Sequence, residues 1–195
     1  MSQAFNPAML LTYFRIVLIV PFMYFLYSST PNSKLLALIT FLLASVTDTL
    51  DGQIARKLKI VTNLGKFLDP VADKLLVSAA LISFVELDTI NVPAWMVVLI
   101  ISRDFVVSAI RMVAASEGVI ISPTYFAKFK TSVQFIAIVY VLLILVIMER
   151  GLFSNYTSLL TGSVYWVMLI TALLTVVSSF SYIKDFWDIL KGYSV

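Results

Sequence analysis

The chain has 195 residues, of which 61% are hydrophobic, and a mean hydropathy of +0.99. That is well above the roughly 45 to 50% apolar content of a soluble domain, so the sequence reads as an integral membrane protein. Histidine and cysteine are both absent, which excludes disulfides, zinc and haem sites, histidine bases and thiol nucleophiles. Any bound metal must be held by oxygen and be hard, such as magnesium, manganese or calcium.

The length is one domain's worth of chain, 1–195, with room for about six spans of ~20 residues each. The start, MSQAFNPAML, has no Lys or Arg before Arg15, and Arg15 interrupts the first apolar run, so no cleaved signal peptide is expected. Leu10 to Tyr27 reads as span one, and the turn-rich SSTPNSK at 28–34 as a tight connection. Span two begins near Leu35, is apolar to Val46, and continues as a charged helix towards Arg56. Residues 57–66, KLKIVTNLGK, form a basic connector, and Leu68 to Val85 is span three, with Pro70 expected in its first turn, where no N–H is needed. ELDTINVP at 86–93 is a short return, and span four runs from Ala94 to about Ala115. Residues 116–130 are expected to be the longest polar connector, followed by span five from Thr131 to Met148 and span six from Leu160 to Ile183, before the tail KDFWDILKGYSV. The predicted architecture is an all-α membrane bundle of about six helices, without internal repeat.

The basic residues orient it. With the connector at 57–66 on the cytoplasmic side, Arg15, Arg56, Lys57, Lys59, Lys66, Lys74, Arg103, Arg111, Lys128, Lys130, Lys184 and Lys191 share that side, against Lys34 and Arg150 on the other. Twelve against two is a strong positive-inside bias and places both termini in the cytoplasm. Arg15, Arg103 and Arg111 lie within spans and weigh less.

The stretch TDTLDGQIARKLKIVTNLGKFLDPVADK, residues 47–74, holds four of the eleven carboxylates: Asp48, Asp51, Asp69 and Asp73. All four adjoin apolar runs, where charge is costly unless paired, hydrated or bound to a cation. Asp48 and Asp51 are three apart and Asp69 and Asp73 four apart, so on helices each pair shares a face. Acidic residues at helix ends often just cap a helix or face water, and a DG pair often marks a turn. The joint register with Gly52, Arg56 and Gly65 is what argues for a site. Four carboxylates at two adjoining helix ends suit one or two divalent cations bridging a diphosphate. Gly52 and Gly65 leave room for close approach of a ligand or second backbone, and Arg56 offers a planar donor fork to phosphate or to a base carbonyl.

As a pattern this is DxxDGxxAR, eight residues, then GxxxDxxxD, comprising Asp48, Asp51, Gly52, Ala55, Arg56, Gly65, Asp69 and Asp73. Every fixed position resembles the signature of the CDP-alcohol phosphotransferase family, and the likeness extends over essentially the whole chain. The resemblance implies six transmembrane helices, a homodimer in the bacterial inner membrane, and transfer of a phosphoalcohol group from a CDP-linked donor to an alcohol with release of CMP. It implies Asp48, Asp51, Asp69 and Asp73 as ligands of Mg2+ or Mn2+, with Asp73 also the base that takes the acceptor's hydroxyl proton. It implies Thr12, Asp48, Gly52, Ala55, Arg56, Gly65 and Asp69 as the CDP-binding set. Like-charged neighbours would raise Asp73's proton affinity and metals would lower it. In the N-terminal segment NPAMLLTYFR departs from the family's usual text, although Thr12 and Arg15 keep their places.

A second group bears on the acceptor. Arg103 and Arg111 are eight apart, about 80° round a helix, and Lys128 and Lys130 follow; four cations suggest a phosphate-bearing acceptor. The segments RDFVVSAIR and KFKT resemble the phosphatidylglycerophosphate synthase branch of the family, which implies CDP-diacylglycerol as donor and glycerol 3-phosphate as acceptor, among bilayer lipids and with no nucleic-acid partner. Asp104 and Ala127 stand where that branch more usually has Glu and Gly. The competing expectation is that Arg103 pairs with an acidic neighbour and the lysines are snorkelling anchors. Sister enzymes making cardiolipin, phosphatidylserine or inositol-phosphate lipids would share the metal site. A cation- or proton-coupled transporter would instead place carboxylates near the bilayer midplane, preferably with an inverted repeat.

Overall fold

The structure is a computed structural model that describes the backbone of residues 7–58, 63–116 and 125–192 and the side chains of residues 12–47, 71–72, 74–114, 129–153 and 155–179. Six helices account for nearly all of the described residues, and none of these is in a strand: α1 (Pro7–Tyr27), α2 (Ser33–Leu58), α3 (Asn63–Glu86), α4 (Ala94–Ser116), α5 (Tyr125–Glu149) and α6 (Thr157–Gly192), with a short 3-10 turn at Ser154–Tyr156. They group into two compact units, residues 1–83 with 139–157, and residues 84–138 with 158–195, so that the division falls inside α3 and α5.

In the first unit α1 packs on α2. Phe22 and Leu26 of α1 and Ala37, Phe41 and Ala44 of α2 are fully buried, and the Phe22 and Phe41 rings meet at 5.7 Å between centroids. Alanines at Ala37 and Ala44 flank Phe41 and allow close helix approach, the packing that holds helices together where lipid supplies no hydrophobic drive. In the second unit α6 buries Val164, Met168, Thr171, Ala172, Thr175 and Ser178, while Trp166, Ile170, Leu173 and Val177 on its other side are exposed. Both sides are spaced by three or four residues, as one helix face requires. Exposed positions in both units are as apolar as buried ones: Val20 of α1 is 70% exposed and Leu159 of α6 69%. Helices apolar all round suit a lipid environment rather than water, and the chain is a membrane protein of the helical-bundle type. Among the described residues Phe129–Glu149 and Thr157–Ser179 are long and apolar enough to cross a bilayer, and the apolar stretches Thr12–Tyr27 and Ser33–Thr47 are shorter.

One polar cluster closes an end of the first unit. Lys34 Nζ donates to the carbonyls of Leu26 and Ser28 (3.0 Å for the latter), which are left without helical partners where α1 stops. Glu149, at the end of α5, accepts from the Lys34 backbone N–H at 3.3 Å and lies 2.8 Å from the Ser33 hydroxyl, so a carboxylate caps the positive end of α2. Arg150 Nη2 reaches Asn32 Oδ1 at 3.5 Å in the same cluster. Lys34 and Arg150, the two cations assigned by sequence to the non-cytoplasmic side, thus lie at one end. Beyond Glu149 the chain turns through a Schellman motif: Leu152 N–H bonds to Ile147 O and Gly151 N–H to Met148 O, with Gly151 at φ +65°, a conformation that a side chain disfavours. Glu149→Ala is expected to cost about 1 to 3 kcal/mol, since it strips several donors of their acceptor. Glu149→Gln, which retains one oxygen, should cost less. Thermal unfolding in detergent measures both, and equal losses would contradict the capping role.

Three helix boundaries differ from the sequence expectation by five residues or more, while α1 and α6 each begin three residues early, at Pro7 and Thr157. α5 begins at Tyr125 rather than Thr131, so Lys128 and Lys130 belong to its first two turns and not to a connector. α3 begins at Asn63, which makes Pro70 its eighth residue rather than part of its opening turn. The N–H that would have bonded back to Lys66 is therefore missing inside the helix. α6 runs on to Gly192, 36 residues or about 54 Å, longer than the ~30 Å hydrocarbon core, so the tail expected beyond Ile183 is continuous helix.

Candidate active site

The backbone places Asp48 and Asp51 in the last three turns of α2 and Asp69 and Asp73 as the seventh and eleventh residues of α3. Leu58 and Asn63 bound the gap from α2 to α3, and five residue steps allow them to be at most about 18 Å apart. The two acidic segments therefore belong to adjoining helix ends within one unit. The side chains of Asp48, Asp51, Gly52, Ala55, Arg56, Gly65, Asp69 and Asp73 lie outside the described residues, as does that of Lys128. Among the described residues no group of three or more His, Cys, Asp or Glu is placed to hold a metal ion. With no His or Cys in the chain, the donors to any bound metal would all be oxygen.

Thr12, assigned by resemblance to the CDP-binding set, and Arg15 lie one turn apart on α1 and are each only 1% exposed. An arginine held that deep in an apolar helix is rare and ordinarily functional or structural rather than incidental.

The cations of the second group divide. Arg103 and Lys130 are brought together through Asp104: Lys130 Nζ donates to Asp104 Oδ1 at 2.5 Å, and the same oxygen lies 3.4 Å from Arg103 Nη1. Arg103 Nη2 also donates to Ser178 Oγ of α6 at 2.9 Å. Lys130 has a further acceptor, Gln134 Oε1, one turn along α5. Arg111, two turns beyond Arg103 on α4, is half-buried. Arg103 thus does pair with an acidic neighbour. Lys130 is buried inside a polar cluster, which is not the posture of a snorkelling anchor, whose head reaches water. Sequence reasoning noted Asp104 as a departure from a pattern and allowed for an acidic neighbour of Arg103, but missed Gln134 and Ser178. Gln134 was open to discovery as the residue four beyond Lys130 on one helix; Ser178 is one hydroxyl among several on α6 and carried no distinguishing signal.

The family model described as CDP-alcohol phosphatidyltransferase matches residues 5–178. The chain is similar to the CDP-diacylglycerol--glycerol-3-phosphate 3-phosphatidyltransferase of Bacillus subtilis (strain 168), at 44% identity over 84% of this chain and 79% of the relative. It is 37% identical to the protein of that name from Rickettsia bellii, over 89% of this chain and 91% of the relative, and 35% identical to the one from Haemophilus influenzae, over 92% of each. The match runs through both compact units and contains Asp48, Asp51, Asp69 and Asp73 as well as Arg103, Arg111, Lys128 and Lys130. The chain belongs to the CDP-alcohol phosphatidyltransferase family.

Proposed function

We propose that this protein transfers the phosphatidyl group of CDP-diacylglycerol to glycerol 3-phosphate, giving phosphatidylglycerophosphate and CMP. The observation that carries the reading is the unbroken register from Asp48 to Asp73 inside the matched region, and the relatives' shared name supports the choice of substrates. Asp48, Asp51, Asp69 and Asp73 would hold one or two Mg2+ or Mn2+ ions. When bound, such ions offset the charge of the diphosphate and of departing CMP. Thr12, Gly52, Ala55, Arg56 and Gly65 bind the CDP group alongside Asp48 and Asp69. Asp73 takes the proton of the acceptor's primary hydroxyl as its oxygen attacks the β-phosphorus in line with the leaving CMP. Arg103, Arg111, Lys128 and Lys130 receive the acceptor's phosphate. The enzyme is one functional domain, a homodimer in the bacterial inner membrane with both termini in the cytoplasm, and draws its donor from the surrounding bilayer.

Arg111→Gln separates acceptor from donor. A hydrogen bond to a charged group is worth about 1.5 to 3 kcal/mol, so the KM for glycerol 3-phosphate should rise roughly ten- to a hundredfold, with the KM for CDP-diacylglycerol nearly unchanged. Steady-state CMP release with each substrate varied in turn measures both. A loss confined to the donor would contradict the assignment of these cations.

A further inference from the structure

Lysine carries a compact ammonium on a flexible four-carbon stem and ordinarily samples many positions. Lys130 does not: its side chain is 2% exposed, and its Nζ lies between Asp104 Oδ1 from α4 and Gln134 Oε1 from its own helix. Gln134 is itself only 4% exposed. Its amide cannot be reversed, because that would set an NH2 group against the ammonium. Oε1 therefore faces Lys130, and Nε2 is buried with no hydrogen-bond partner among the described residues. The Asp104 oxygen that holds Lys130 also approaches Arg103.

We propose that Asp104 is a positioning residue of the acceptor site, its carboxylate fixing the Lys130 ammonium for the acceptor's phosphate with the Gln134 amide oxygen as second brace. This rests on the assignment of Lys130 to that phosphate. Without the carboxylate, the Lys130 ammonium loses the charged acceptor that holds it and no longer meets the phosphate as a fixed charge.

Relocating the charge tests this. Asp104→Asn preserves the shape and removes the charge. The double variant Asp104→Asn with Gln134→Glu moves the carboxylate to the other brace, leaving Lys130 an oxygen on either side and the net charge unaltered. With full-length protein in detergent, KM for each substrate and kcat are measured by CMP release. Asp104→Asn is expected to raise the KM for glycerol 3-phosphate about tenfold or more and leave that for CDP-diacylglycerol nearly unchanged; Asp104→Glu and the double variant should recover most of the loss. An acceptor KM indifferent to Asp104→Asn overturns the proposal, as does a folded double variant that recovers nothing, which would make Asp104 a packing element. If Asp104→Asn fails to fold, Asp104→Glu and the double variant decide alone: acceptor KM close to the parent's supports the brace, and a tenfold rise in both overturns it. Failure of the underlying assignment is read separately on Lys130→Met, whose acceptor KM would then equal the parent's, whereas a parent with no saturable use of glycerol 3-phosphate would overturn the proposed reaction itself.

Discussion

Asp73→Asn is expected to lower kcat by about 10² to 10⁴-fold, the usual contribution of a positioned general base, while the protein remains folded and still binds CDP-diacylglycerol. Asparagine nearly reproduces the shape of aspartate but cannot accept the acceptor's proton. Asp73 is the eleventh residue of α3, one turn beyond Asp69, so it can serve as a base only if the acceptor's hydroxyl is delivered to that turn. Any share Asp73 has in holding a cation would deepen the loss. The acidic limb of the kcat/KM profile then tests whether an ionised carboxylate is required. Turnover close to the parent's at neutral pH would move the role of base to another residue.

Removal of divalent cations is expected to abolish CMP release, and addition of magnesium or manganese to restore it. The four aspartates fall within 26 residues of chain at the adjoining ends of α2 and α3. Unscreened, they would repel one another and the diphosphate alike. At an effective dielectric of about 20, two like charges 4 Å apart cost about 4 kcal/mol, so donor binding to an empty acidic cluster is strongly disfavoured. Family members generally depend on a divalent metal. Full activity in excess chelator would contradict the acidic cluster as a cation site.

The helical architecture was legible because apolar runs of bilayer length are the strongest pattern a sequence carries. The end of α1 at Tyr27 and the start of α4 at Ala94 coincide with the expected boundaries. The misplaced start of α5 has a physical cause. Lys128 and Lys130 read as loop polarity, yet a lysine whose ammonium has Asp104 and Gln134 as acceptors is tolerated inside a helix. The tail of α6 was cut at its first charged residues for a similar reason, although helix propensity does not end where hydrophobicity does. The acidic register was visible because its spacing is local. The cluster around Lys130 was not, because Asp104 lies 26 residues from it and Ser178 lies 75 from Arg103. The Glu149 cap on α2 is invisible for the same reason, being made across more than a hundred residues.

The most direct measurement supplies the purified full-length protein with CDP-diacylglycerol and magnesium, offers glycerol 3-phosphate, glycerol, serine or phosphatidylglycerol in turn, and follows CMP together with the lipid formed. CMP release is expected with glycerol 3-phosphate, matched by a lipid that bears a terminal phosphate monoester, and little or none with the other three. No CMP with any acceptor, or faster release with serine or phosphatidylglycerol than with glycerol 3-phosphate, would contradict the proposed reaction.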